Sequence, residues 1–117
     1  MINKRTIGTE NEKKAAAFLV EKGYEILEFN FRCKSGEIDI VARHEDYLVF
    51  VEVKYRDNTR KGYPLEAISV QKQRTISKCA MYYIMKYGLD NFPVRFDVVG
   101  ILKNEIQLIQ NAFDFVG

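Results

Sequence analysis

Gly36-Glu37-Ile38-Asp39-Ile40-Val41-Ala42-Arg43-His44-Glu45-Asp46-Tyr47-Leu48-Val49-Phe50-Val51-Glu52-Val53-Lys54 is the stretch on which the reading of this chain turns. Residues 37–43 alternate, with Ile38, Ile40 and Ala42 on one face, as a half-buried strand does. After the polar turn His44-Glu45-Asp46, residues 48–54 are apolar on both faces, the pattern of a strand in the middle of a sheet. Glu52 and Lys54 interrupt that run and, being two apart, share one strand face. A charge in such surroundings has to be paired, hydrogen-bonded or bound to a metal ion. A tight hairpin centred between Glu45 and Asp46 carries Asp39 to the position opposite Glu52, whereas a slip of one residue sends it to the other face.

Upstream, residues 6–21 place Ile7, Ala15, Phe18 and Leu19 at helical spacing, with Glu10 and Glu12 early and Gly23 positioned as a left-handed cap. Residues 24–32 alternate as a strand, and Lys34-Ser35-Gly36 makes a turn. Downstream, Arg56 to Gly62 reads as a basic loop, and Pro64 precedes a helical region whose long part runs from Ser69, an N-cap candidate, to Lys86, with Gly88 ending it. In this helix Ile76, Cys79, Ala80, Tyr83, Ile84 and Tyr87 form an apolar stripe. Residues 94–102 and 105–110 are strand-like and joined by Lys103-Asn104 as a two-residue hairpin; the tail after them carries no assignment. The order helix, three strands, helix, two strands predicts an α/β fold, a mixed sheet flanked by helices.

The chain's 117 residues suit one domain spanning 1–117, and 47% hydrophobic with 29% charged residues is a globular rather than a disordered composition. No apolar run approaches membrane-spanning or signal length, so a soluble, cytoplasmic protein is expected. Cys33 and Cys79 are far apart and in no metal-binding spacing, which reads as two reduced thiols. The sole histidine, His44, falls in the hairpin turn and is expected to be exposed, which disfavours histidine-based acid/base chemistry. A net charge of +2 is too mild to identify a partner, but between positions 54 and 88 eight basic residues face only Asp57 and Glu66. A stripe of that kind suits a phosphate backbone, and a solvated helix face is the simpler alternative.

Two opposed carboxylates repel unless a divalent cation lies between them, and oxygen donors without histidine or cysteine favour Mg²⁺ or Mn²⁺ over zinc. Such an ion polarises a phosphoryl oxygen and acidifies water, while Lys54 on the same face can steady the developing charge: the chemistry of phosphodiester hydrolysis. Residues 36–42 followed by Phe50-Val51-Glu52-Val53-Lys54-Tyr55-Arg56 resemble the core of PD-(D/E)xK nucleases. More narrowly the chain resembles, over nearly its whole length, the YraN-like family of predicted endonucleases, which is similar to archaeal Holliday junction resolvases. Gly8-Thr9-Glu10, Asn30-Phe31-Arg32, Arg95-Phe96-Asp97-Val98-Val99 and Asn111-Ala112-Phe113 share in that resemblance; Ile38 stands where the superfamily name has proline.

The resemblance implies a restriction-endonuclease-like core, a metal-dependent endonuclease acting on DNA, and branched or junction DNA as substrate. It assigns Asp39, Glu52 and Glu10 as metal ligands and Lys54 as the catalytic lysine, with Glu10 completing the metal and water site. Arg32, Arg56, Lys72 and Arg74 are the candidates for nucleic-acid contact, and Glu37 could extend the site. A junction with two symmetric scissile sites would call for a homodimer. Set against these are a structural Glu52–Lys54 ion pair, a surface Glu10–Lys14 pair four residues apart on the first helix, and a nucleic-acid-binding or adaptor module that keeps the fold without efficient catalysis.

Overall fold

The computed structural model describes residues 4–58, 60 and 68–117, and for residues 4–9 the backbone alone. Its elements are α1 (Lys4–Glu21), β1 (Glu25–Cys33), β2 (Gly36–His44), β3 (Tyr47–Arg56), α2 (Val70–Tyr87), β4 (Val94–Leu102) and β5 (Glu105–Phe113). Pro64, Lys61, Gly62, Glu66 and the side chains of Ile7 and Thr9 from the sequence reading lie outside what is described. The strands form one five-stranded sheet in the order β1-β2-β3-β4-β5. Only the β3–β4 pair is parallel, because α2 carries the chain back across the sheet between them. β3 is the central strand, as its two-sided apolar run requires.

One helix covers each face. On the α1 side Ala15, Ala16 and Leu19 pack on Ile40, Ala42, Val49, Val51, Val99 and Ile101. Across the sheet, Ile76, Cys79, Ala80, Tyr83 and Ile84 of α2 meet Phe31, Val41, Leu48, Phe50 and Phe96. Tyr87, the last position of the expected stripe, is instead 47% exposed. Ser69 caps α2 by accepting the Lys72 N–H on its hydroxyl at 3.1 Å, and Gly88, at φ 64°, closes the other end in the left-handed conformation. The unassigned tail is tied down: β5 runs on to Phe113, Phe113 stacks on Phe96 while Phe115 meets it edge-on, and the Val116 N–H donates to Ser77 Oγ at 3.0 Å.

Three expectations are corrected. Cys33 and Cys79 are not free thiols but a disulfide, with Cα atoms 5.9 Å apart. Their 46-residue separation says nothing of distance once α2 lies across the β1–β2 turn. At that turn Gly36 has φ 154°, and a methyl group there would come within 2.6 Å of Thr75 Cγ2, so the fit of hairpin against helix demands glycine. His44 is not simply exposed: it ends β2, stacks on Tyr24 with ring centroids 4.2 Å apart, and presents Nδ1 to Arg95 Nη2 at 3.0 Å. Ile38 does not share a face with Ile40 and Ala42, since it packs on the α2 side and they pack on the α1 side. The alternation therefore breaks at Asp39. With β1 and α2 cross-linked, reduction by a dithiol or the double change Cys33→Ser, Cys79→Ala is expected to cost about 2–4 kcal/mol, measured by urea unfolding with and without reductant.

Candidate metal and phosphodiester site

The β2–β3 hairpin pairs His44 with Tyr47 and continues in register to Ile40 opposite Val51. One step further Asp39 falls opposite Glu52, but there the strands part, and β2 pairs on with β1 alone. The Asp39 side chain replaces the missing ladder bond: its Oδ2 accepts the Val53 N–H at 2.8 Å. Glu52 and Lys54 lie on the α2 side with Leu48 and Phe50, as period-two spacing requires. Glu52 is 8% exposed and sits within hydrogen-bonding reach of Asp39.

Two carboxylates so placed cannot both ionise cheaply. Burial, and then the charge of Asp39, pushes the Glu52 carboxyl from its usual 4.5 up to about 8. Asp39 is likewise raised, chiefly by burial, though the Val53 N–H and the hydrogen bond from Glu52 partly offset this. When Glu52 holds its proton it donates to Asp39, so that one proton is shared between the two acids.

Glu10 does not join this pair. It is exposed on α1, and residues two apart on a helix lie about 200° apart around the axis. The α1 acid turned inward is Glu12, 7% exposed, whose Oε1 accepts from Asn30 Nδ2 at 2.9 Å. Its carboxyl is raised by burial and, further, by the charges of Asp39 and Glu37. The sequence carried a signal for this: Glu12 lies on one helical stripe with Ala15, Ala16 and Leu19, all buried. Among the described residues no set of three or more His, Cys, Asp or Glu side chains stands at metal-holding distance, so the expected trio of Asp39, Glu52 and Glu10 is not assembled and the pair alone is.

The basic candidates divide. Lys72, expected on a phosphate backbone, reaches back from the first turn of α2 to Glu52, with Nζ 3.6 Å from Oε2. Arg32 is exposed and pairs with Glu37 at 3.2 Å. Arg74 is exposed on α2, and Arg56, at the end of β3, has a buried Nε without a partner among the described residues.

Arg95 and Asp97 of β4 take no part in the site. They stand beside Val49 and Val51 on the α1 face, away from Glu52. Asp97 is fully buried; its two oxygens accept from Arg95 Nε and Nη2, both at 2.9 Å, from the Tyr24 hydroxyl at 2.6 Å and from the Asn111 N–H at 3.0 Å. Burial and Asp97 push the Tyr24 phenol up to about 12, which keeps it a donor. This is a satisfied structural network.

The chain matches the uncharacterised protein family UPF0102 over residues 11–101, a span that includes Glu12, Asp39, Glu52, Lys54 and Lys72 and leaves out Glu10. A UPF0102 protein of Lachnoclostridium phytofermentans is 56% identical over 117 residues, covering 99% of each chain. One of Caldicellulosiruptor saccharolyticus is 48% identical over 96% of this chain and 100% of its own, and one of Clostridioides difficile 47% over the same shares.

The raised Glu52 carboxyl has a pH signature. A folded pKa above the unfolded one stabilises the fold most below the unfolded value, and that contribution is lost as pH rises from about 4.5 through about 8. In chelator-treated protein the melting temperature should fall across that window, Glu52→Gln should flatten the fall, and Asp39→Asn should be stabilising only on its alkaline side. A profile identical in Glu52→Gln and wild type would contradict the shared proton.

Proposed function

The chain belongs to the UPF0102 family, and from its carboxylate pair we propose that it is a divalent-metal-dependent endonuclease acting on DNA, built on a restriction-endonuclease-like PD-(D/E)xK core. The Asp39–Glu52 pair carries this reading: two acids meet where adjacent strands part, flanked by Lys54 and Lys72 and with Glu12 and Glu37 adding negative charge. A structural ion pair would neutralise itself, whereas this cluster holds an excess of carboxylates and relieves it with a proton. The donors are all oxygen, which suits Mg²⁺ or Mn²⁺. Asp39 and Glu52 would hold the ion, and two protein donors with the remaining positions left to water and phosphate is the habit of Mg²⁺ sites.

When bound, the ion supplies Lewis acidity toward a phosphoryl oxygen. Asp39 is held in orientation by the Val53 N–H, so its carboxylate is set before substrate arrives. Lys54, on the same strand face as Glu52, lies where it can stabilise negative charge developing on the phosphoryl group. Glu12, anchored by Asn30, is the α1 acid available to orient water or accept its proton, in the place of Glu10, which the resemblance assigned to complete the metal and water site. The exposed Arg74 and Lys78 on α2, with Arg32 beside the β1–β2 turn, offer cations to a phosphate backbone. Branched or four-way-junction DNA as preferred substrate, and a homodimer to match its symmetry, rest on the family resemblance alone.

Cleavage of labelled linear and four-way-junction DNA with Mg²⁺, Mn²⁺ or a chelator tests the proposal. Metal-dependent cutting is expected, reduced at least about 100-fold by Asp39→Asn and Lys54→Ala. Glu12→Gln should slow it markedly, and Glu10→Gln should not. Salt-sensitive DNA binding without cutting under any metal condition would replace the enzyme with a binding module.

A further inference from the structure

We infer that Lys72 is the built-in counter-cation of the Asp39–Glu52 pair, neutralising it while no divalent ion is bound and giving way when one binds. The inference rests on the metal-site reading above and adds to it a device that couples ion uptake to substrate contact. It begins from position. Lys72 lies in the first turn of α2, which contains no acidic residue, so its charge faces the positive end of the helix dipole. A lysine there is unfavourable by itself, and the gain that offsets the cost is Glu52, 3.6 Å away.

Exposure separates the two partners. The Glu52 side chain is 9% exposed and held in the sheet, whereas that of Lys72 is 43% exposed on a flexible four-carbon stem. Its backbone is pinned by the Ser69 cap, so the ammonium can swing without disturbing the helix. Lys72 also acts on both acids: its charge lowers Asp39 and Glu52, and on Glu52 it outweighs Lys54. Strand spacing nominated Lys54 as the cation of this site, but the folded chain puts the α2 lysine closer to the pair.

A divalent ion on Glu52 and an ammonium on the same carboxylate repel one another, so each weakens the other's hold by the same factor. Ion binding therefore frees Lys72, a partly exposed cation in the first turn of α2, to meet a DNA phosphate. By the same reciprocity, ion uptake and the grip of Lys72 on a phosphate strengthen one another.

Calorimetric titration of Mg²⁺ into chelator-treated, DNA-free protein at alkaline pH separates the possibilities, using wild type, Lys72→Met, Lys72→Gln, Lys72→Arg and Asp39→Asn. The inference expects Lys72→Met and Lys72→Gln to bind Mg²⁺ at least about fivefold more tightly than wild type, the effect of one unit charge about 4 Å away even in a water-like dielectric. Lys72→Arg should return toward wild type, and Asp39→Asn should lose binding. Equal or weaker affinity in both neutral variants overturns the role of Lys72 and leaves the carboxylate site standing. Failure of every protein, wild type included, to bind the ion overturns the metal-site reading and this inference with it.

Discussion

The opposition of Asp39 and Glu52 across two adjacent strands is the constraint around which the rest of this end of the molecule is organised. Two acids in a poorly solvated place demand positive charge, and the fold meets the demand with whatever is to hand: a shared proton, the Lys72 ammonium, the Val53 N–H. The proton and the ammonium can be displaced, whereas the Val53 N–H belongs to the strand and keeps Asp39 in place.

The frame that maintains the opposition is rigid and lies on the other side of the sheet. Asp97, without solvent exposure, is satisfied from Arg95, Tyr24 and Asn111, and Gln110 and Arg95 both donate to the Tyr24 hydroxyl. These bonds tie the residue after α1 to β4 and β5, next to the strand that carries Glu52. Two polar clusters on opposite faces thus divide the work: one is fully satisfied and fixes geometry, and the other is left short of positive charge.

Much of this was legible in the sequence, and what was not has physical causes. The element order followed from periodicity and turn residues, and the sharing of a face by Glu52 and Lys54 from strand geometry. The position of Asp39 followed from the length of one turn. Where the strand is irregular the reading failed: Ile38 lies on the other face from Ile40 and Ala42, at the point where β2 stops pairing with β3, and the alternation rule assumes an unbroken strand. Glu10 entered the site on resemblance and Glu12 was read only as an early acid of the helix, although the apolar stripe of α1 passes through position 12. Cys33 with Cys79, His44 with Arg95, and Lys72 with Glu52 are contacts between distant segments, and sequence spacing holds no record of them.

The Cys33–Cys79 bridge has a topological consequence for the candidate site. It closes a covalent ring, and Asp39, Glu52, Lys54 and Lys72 all lie within it. Glu12 stands outside, on a helix joined to the ring by β1 and held to the sheet by packing. If α1 lifts away, the carboxylate pair and both lysines remain tethered to one another while the third acid departs. The boundary that the bridge leaves unfastened thus runs between Glu12 and the two acids that face each other.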